Sequence, residues 1–91
     1  MKKNSELIKE FVDMGSRYAF SLKDGTYYEG YILDIGESSF EFEIGGPMAP
    51  SDSIHIQYEN LDYGSLSFFD LKEKCYKNAV WSQIENQWQI S

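Results

Sequence analysis

Few side chains in this sequence have the chemistry of an active site. His55 is the only histidine of the chain and Cys75 the only cysteine. Asp52 and Ser53 stand close to His55 in sequence, but successive residues of a strand face opposite sides, so nothing positions a nucleophile beside a base. A lone cysteine is most often a packing residue. We therefore expect a non-catalytic protein, not an enzyme.

Acidic side chains offer a second kind of chemistry, which is cation binding. Carboxylate oxygens are preferred ligands of calcium and magnesium. Glu41 and Glu43 are two residues apart and so share one face of a strand, where Glu37 or Asp34 could join them around a divalent cation. The solvated face of a strand explains the same spacing more simply, and we expect no metal and no cofactor.

Aromatic residues make up 16% of the chain and could supply a platform on which nucleobases stack. Core packing and subunit contacts are the simpler explanation for most of them, including Phe20, Phe40 and Phe42. Tyr63 differs because it stands in a turn-like segment beside Gly64. Tyr63 is therefore the best candidate for a stacking contact.

Basic residues are confined to the two ends of the sequence. The net charge is −7, and no lysine or arginine occurs between Asp24 and Leu71. The acidic residues of that stretch are Asp24, Glu29, Asp34, Glu37, Glu41, Glu43, Asp52, Glu59, Asp62 and Asp70. Proteins that bind nucleic acid draw much of their affinity from lysine and arginine on phosphates. The middle of the chain therefore favours a basic protein partner.

Length and composition set the broad class of the protein. A chain of 91 residues with 42% hydrophobic residues makes one domain, 1–91, with a single core. No apolar run approaches the ~18–20 residues that cross a bilayer. The N-terminus lacks the apolar stretch of a signal peptide. We expect a cytoplasmic protein that does not associate with a membrane.

Hydrophobic spacing predicts one helix followed by five short strands. The helix covers residues 5–14, with Asn4 or Ser5 as its N-cap and Gly15 as its stop. Alternation with a period of two predicts strands at residues 17–22, 27–35, 39–44, 54–59 and 65–69. Asp24-Gly25 is a hairpin signal between the first two strands. Residues 45–52 have the composition of a loop, and residues 60–64 that of a 3₁₀ turn.

The C-terminal extension, residues 70–91, has two interpretations. One interpretation is a helix, which would be marked by Leu71, Cys75, Ala79 and Trp88. The other interpretation is a hairpin. Its strands would contain Val80-Trp81 and Trp88-Gln89-Ile90, with Glu85-Asn86-Gln87 between them. Both interpretations stay open at this point.

A pattern of glycines and hydrophobic residues in the first two strands resembles the first motif of Sm-like (LSm) proteins. The residues that carry it are Leu22, Gly25, Gly30, Ile32 and Ile35. The resemblance implies a mostly β fold, in which residues 17–69 form a strongly bent, five-stranded Sm-like barrel behind the N-terminal helix. Another SH3-like or OB-like barrel is the alternative, since such barrels use the same glycine spacing.

The resemblance also implies a homo-oligomeric ring of about five to eight subunits that binds single-stranded RNA or assembles RNA with protein. The residues at the positions that would contact RNA are Gly36, Ser39, Phe40, Tyr63 and Gly64. The family commonly has Asp where this chain has Gly36 and Arg where it has Tyr63. It often has Asn where this chain has Phe40, or Glu41 if the loop is one residue longer. An Arg would stack on a base and an Asn would read its edge.

The sheet edges give an independent argument for a partner. The fifth strand has no lysine, proline or inward charge, which are the devices that protect an exposed edge. A neighbouring subunit that pairs with this strand would build a ring, unless the C-terminal extension covers the edge. The predicted subunit interface consists of Leu66, Phe68, Ile56 and Tyr58.

Two functions follow from these patterns. The first is an Sm-like ring that binds RNA, which the family resemblance favours. The second is an acidic protein-interaction scaffold that does not bind nucleic acid, which the charge distribution favours. In the second case the acidic middle of the chain faces a basic partner, and the tail docks another protein through Trp81 and Trp88.

Overall fold

The fold is one helix followed by an antiparallel sheet. The computed structural model describes residues 3–44 and 52–91, so the predicted loop at 45–52 lies outside them except for its last residue. The elements in chain order are α1 (Asn4–Val12), β1 (Tyr18–Ser21), β2 (Tyr27–Ile35), β3 (Ser39–Ile44), β4 (Asp52–Gln57), two 3₁₀ turns (Tyr58–Asn60 and Tyr63–Ser65), β5 (Ser67–Asp70), β6 (Cys75–Ser82) and β7 (Gln87–Ile90).

The sheet is open and contains seven strands in the order β4-β3-β2-β1-β5-β6-β7. The prediction of a mostly β chain with an N-terminal helix is confirmed, whereas the sheet has seven strands and not the predicted five, and it does not form the predicted barrel. The reason lies in residues 70–91, which form the hairpin of the two alternatives. β6 pairs with β5 from Ser67↔Asn78 to Asp70↔Cys75, and so occupies the edge that a barrel would need to close.

α1 buries one apolar stripe against the sheet. Leu7, Ile8 and Phe11 are its buried residues, at spacings of three and four. The ring of Phe11 lies 5.2 Å from that of Tyr18 and 6.3 Å from that of Trp88, measured between centroids. The helix therefore packs against both the first strand and the C-terminal hairpin.

The ends of α1 differ from the prediction. Its N-cap is Lys3, which makes no side-chain capping bond, and its last helical residue is Val12. The hydroxyl of Tyr18 donates to the carbonyls of Val12 and Gly15, the latter at 2.7 Å. The carbonyl of Val12 is one that the helix end leaves without an intrahelical partner, and that of Gly15 belongs to the segment after it, so a side chain from β1 fixes the end of the helix.

The core is aromatic and lies on the face of the sheet that α1 covers. Its largest fully buried side chains include Phe11, Phe20, Phe40 and Phe42. The ring of Phe20 contacts those of Phe40 and Phe42 edge-on, at 5.6 and 4.8 Å. Such edge-to-face pairs stabilise a core beyond the area that they bury.

The Asp24-Gly25 hairpin and the bend in β2 are both present. Gly25 has a φ of +94°, which the turn requires and which glycine adopts without strain. Gly30 lies where the backbone of β3 comes close to β2, since a Cβ there would sit 2.0 Å from the carbonyl oxygen of Glu43. The β2–β3 register then shifts between Ile32 and Asp34 at a bulge, which adds to the local bend.

The hydrophobic residues of the glycine motif pack beside the core. Leu22 forms an isolated bridge with Leu61. Leu22, Ile32 and Ile35 are partly buried against the core. No helix within residues 3–44 and 52–91 has the length and apolar character needed to cross a membrane.

Candidate binding sites on the sheet face and beneath the hairpin

The outer face of β2, β3 and β4 gathers acidic residues. Cross-strand partners share one face of a sheet. The register places Glu41 between Asp34 on β2 and His55 on β4. Glu43 lies two residues further along the same face, opposite Tyr31. We refer to Asp34, Glu41 and Glu43 as the acidic face.

The acidic face has no ion-pair partner within the described chain. Among residues 3–44 and 52–91, Asp34, Glu41 and Glu43 form no salt bridge, and the ion pairs of Arg17 and Lys77 involve other acids. Asp34 and Glu41 stand directly opposite each other. Like charges in that position destabilise a sheet, so a positively charged partner would stabilise this arrangement.

Arg17 shows how this side of the sheet holds a cation. Its Nη2 lies 3.3 Å from Oε1 of Glu29, and its guanidinium carbon lies 5.3 Å from the centroid of the Tyr31 ring. A cation over an aromatic face is attracted by the ring's quadrupole. Tyr31 also faces Glu43 across the strand pair, so an aromatic ring and carboxylates surround one region.

A cavity of about 250 Å³ lies between α1, the second 3₁₀ turn and the β6–β7 hairpin. Most of its lining is apolar or aromatic and consists of Leu7, Tyr63, Leu66, Val80, Trp81 and Trp88. Asn4 and Gln83 are the carboxamide residues of the lining. Within the described part of the chain, no charged residue lines this cavity.

Two residues of the cavity lining each carry a buried hydrogen-bond donor that has no acceptor within the described part of the chain. The donors are the hydroxyl of Tyr63 and the indole Nε1 of Trp88, and both atoms are buried. Burial, with a smaller contribution from Tyr58, raises the pKa of Tyr63 to about 12, so the hydroxyl keeps its proton at neutral pH. A buried donor without an acceptor costs about 1–3 kcal/mol.

The five residues predicted to contact RNA fall in three separate places. Tyr63 and Gly64 line the cavity. Gly36 and Ser39 form the β2–β3 turn, in which the Gly36 N–H donates to the Ser39 carbonyl at 2.9 Å. Phe40 is 1% exposed in the core, so its ring is not available to a ligand.

The fifth strand is not an edge, because the C-terminal extension covers it, which is one of the two predicted alternatives. β5 pairs with β1 on one side and β6 on the other. Leu66 and Phe68 are buried, so an aspartate at either position would place a charge in the core and would test folding rather than ring formation. Ile56 and Tyr58 are also buried, but β4 is a true sheet edge. A subunit interface along β4 stays a prediction.

The remaining candidates for chemistry stand apart from one another. His55 is exposed on β4 and Cys75 is exposed at the start of β6. Within residues 3–44 and 52–91, no group of three or more histidine, cysteine, aspartate or glutamate side chains is placed to hold a metal ion.

Comparison with protein-family models, with curated proteins and with solved structures finds no match for this chain. The acidic face and the cavity are two features of the described chain that could bind a partner. The two sites have no residue in common, so each can be tested by itself.

The cavity is the feature that the sequence analysis missed. The sequence indicates Tyr63 as a stacking residue and Trp88 as part of a docking tail, but nothing in it joins them. They meet because the tail turns back as a hairpin beside the second 3₁₀ turn. The signal for that hairpin is Asn86, which has a φ of 54° in the β6–β7 turn. Asparagine tolerates this left-handed conformation better than most residues.

Proposed function

We propose that this protein is a non-catalytic binding module that recognises a basic segment of a protein partner through its acidic face. The observation that carries the proposal is the unneutralised carboxylate pair Asp34–Glu41 with Glu43 beside it. Lysine or arginine side chains from a partner would supply the missing counter-charge. The Arg17–Tyr31 contact supports the proposal, because it is a cation held on the same side of the sheet.

The expected strength of such an interface is modest. Each exposed ion pair contributes about 0.2–1 kcal/mol, so three carboxylates together account for roughly 1–3 kcal/mol of binding free energy. That range corresponds to about a five- to 150-fold change in affinity. The interaction should weaken as salt is added, because exposed charges are screened within about 10 Å at 0.1 M ionic strength.

The same charges argue against nucleic acid on this face. Phosphates need lysine or arginine contacts, and the sequence has none between Asp24 and Leu71. RNA binding by an Sm-like ring is the competing prediction from the family resemblance. One titration series can decide between a basic peptide and RNA.

The test is fluorescence anisotropy of labelled ligands at low salt. The ligands are a lysine- and arginine-rich peptide, an acidic peptide of equal length, and U-rich and A-rich RNA. We expect saturable binding of the basic peptide alone, and a loss of about five- to 150-fold in affinity for the combined variant Asp34→Asn, Glu41→Gln, Glu43→Gln.

A matched control removes the same charge elsewhere. The variant Glu6→Gln, Asp13→Asn, Glu73→Gln neutralises three acids on α1, after it, and in the β5–β6 turn. We expect it to bind the basic peptide nearly as the unaltered protein does. Equal weakening by both variants would reduce the effect to net charge and contradict a specific face. Saturable RNA binding without peptide binding would favour the ring.

A further inference from the structure

The two edges of the open sheet expose different numbers of backbone hydrogen-bonding groups. β4 and β7 are the outermost strands, and each pairs on one side only within the described part of the chain. In an antiparallel pair, alternate residues direct their N–H and C=O groups toward the neighbouring strand, and the residues between them direct theirs outward. The outward groups are a template on which another chain can pair.

On β4 the outward groups belong to three residues. The N–H of Tyr58, just after the strand, donates to the carbonyl of Ser38 at 3.1 Å, which fixes the alternation. The β3–β4 register then runs back along the strand without a shift, so every second residue bonds to β3. The residues between them are Ser53, His55 and Gln57, and they direct three N–H and three C=O groups away from the sheet.

On β7 the outward groups belong to two residues. Asn78 and Ser91 exchange both backbone hydrogen bonds, at 3.0 and 2.9 Å, so the alternation leaves Trp88 and Ile90 to face outward. Head-to-tail pairing of β7 with β4 of another copy can therefore form two hydrogen-bonded pairs. One of the three outward residues of β4 would stay unpaired.

Pairing of β4 with β4 of a second copy satisfies all six outward groups. An antiparallel pair with its two-fold axis at His55 places His55 opposite itself, and Ser53 opposite Gln57. These three pairs are of the hydrogen-bonded type and form six hydrogen bonds. An axis at Ile54 or Ile56 would form two such pairs within β4, so the register centred on His55 is the most favourable.

The side chains of β4 suit this register. Cross-strand partners share one face of a sheet, so Ile54 would lie opposite Ile56 of the second copy on the side of the core. Ser53 and Gln57, which are polar and uncharged, would meet on the other side. The strand contains no lysine or proline to protect its edge, and its one acidic residue, Asp52, lies outside the paired residues.

The negative charge of the chain opposes such a contact only weakly. Glu41 lies on β3, one strand in from the edge. The Glu41 side chains of the two copies would therefore be three strand spacings apart, or about 14 Å. Exposed charges are screened within about 10 Å at 0.1 M ionic strength. The repulsion is therefore small beside the hydrogen bonds that the edges gain.

We propose that two copies of this chain form a symmetric dimer by antiparallel pairing of their β4 edges, with the two-fold axis at His55. This assembly stops at two subunits, because a two-fold axis uses the same edge of both copies. It depends on backbone groups of β4, whereas the proposed basic partner contacts side chains of the acidic face. The two proposals can therefore fail separately.

The first test is analytical ultracentrifugation of the full chain at concentrations up to about 1 mM, where we expect a monomer–dimer equilibrium. His55→Pro removes an N–H that faces away from the sheet, so the ladder with β3 stays intact. It removes both hydrogen bonds of the central pair and should weaken dimerisation at least about fivefold. His55→Ala is the matched control, because it keeps the N–H, and it should dimerise nearly as the unaltered protein does.

The second test addresses the two-fold axis. His55→Lys or His55→Glu alone would place like charges opposite each other across the axis, which should weaken the dimer. An equal mixture of the two variants would place opposite charges there. We expect the mixture to associate about two- to 30-fold more tightly than either variant alone. Circular dichroism checks that each variant is folded.

Four results would overturn the proposal. They are a chain that stays monomeric at about 1 mM, equal association of His55→Pro and His55→Ala, no gain on mixing the charged variants, and assemblies larger than two subunits. The last result would assign the β4 edge to head-to-tail pairing. The variant with a neutralised acidic face should still dimerise, which separates this test from that of the basic partner.

Discussion

Replacing Gly30 with alanine should break the β2–β3 strand pair. The new Cβ would lie 2.0 Å from the Glu43 carbonyl oxygen, 3.1 Å from its carbon and 3.2 Å from a ring carbon of Phe42. The nearest atom belongs to backbone, so the clash is relieved only if the strands separate by more than about 1 Å, given ordinary packing contacts of ~3.5 Å. Gly30 pairs with both Tyr18 and Ile44, so neither side can yield easily.

The free-energy cost of Gly30→Ala has two parts. Separation of the strands weakens at least two ladder hydrogen bonds, at about 0.5–1.5 kcal/mol each. Overpacking against Phe42 adds about 1–3 kcal/mol. The total of about 2–6 kcal/mol is a large part of the ~5–15 kcal/mol that stabilises a typical domain. We therefore expect a free energy of unfolding that is lower than that of the unaltered protein by about 2–6 kcal/mol.

Two other glycines provide controls of graded severity. Gly64→Ala should be nearly neutral, because its Cβ would meet only Oδ1 of Asp62, at 3.5 Å. A Cβ at position 25 would meet no atom within 4 Å, but the backbone there has a φ of +94°. Gly25→Ala should therefore cost only the backbone strain, about 1–2 kcal/mol. Equilibrium unfolding in urea, followed by tryptophan fluorescence and circular dichroism, measures the free energy of unfolding of the three glycine variants. A Gly30→Ala variant as stable as Gly64→Ala would refute the close approach of β2 and β3.

Two further predictions concern tyrosine hydroxyls. Burial raises the pKa of Tyr63 from 10.0 to about 12, so the contribution of this shift to the free energy of unfolding is complete below pH 10 and is lost as the pH rises toward 12. Tyr63→Phe should therefore lose less stability than the unaltered protein between pH 8 and pH 11, measured by urea unfolding. A variant with the same pH dependence as the unaltered protein would contradict this prediction. Tyr18→Phe removes the hydrogen bonds to the Val12 and Gly15 carbonyls and should lower the free energy of unfolding by about 0.5–1.5 kcal/mol in the same assay. A Tyr18→Phe variant as stable as Tyr27→Phe, which alters a residue that is 61% exposed on β2, would contradict the role of Tyr18 in fixing the end of the helix.

The strands of the first half of the chain could be predicted well from the sequence. β2 has the predicted bounds, Tyr27–Ile35, and β3 buries Phe40 and Phe42 as the alternation indicated. The reason is local, since Asp24-Gly25 specifies a tight turn and a period of two specifies one buried face. β1 departs from this pattern because it lies in the middle of the sheet, and Ala19 on its second face is buried as well.

The architecture could not be predicted in the same way because it depends on the tail. The expectation of five strands requires residues 70–91 to lie apart from the sheet, whereas β6 pairs with every residue of β5. The alternation in β6 is weak, since Trp81 and Val80 are adjacent and both half-buried. Only the tertiary partners of these residues distinguish a hairpin from a helix, and local propensity is easily overridden by such contacts.

The cavity illustrates the same dependence at the level of a site. The two buried donors of its lining residues come from a 3₁₀ turn and from the last strand, and Trp88 is held there by its contacts with Phe11 and Trp81. No spacing pattern along the chain indicates that α1, the second 3₁₀ turn and the β6–β7 hairpin meet at one cavity. A site of this kind is therefore found only after the order of the strands is known.

The strand order also determines how the charges of the chain are distributed in space. The acid-rich middle of the sequence becomes β2, β3 and β4 at one end of the sheet, and Lys77 lies beyond β5, where Asp70 binds it at 3.1 Å and Glu73 at 3.8 Å. Lys77 is thus paired at the far side of the sheet and does not reach the acidic face. Because the topology keeps this cation away, a basic partner is the simplest source of counter-charge for Asp34, Glu41 and Glu43.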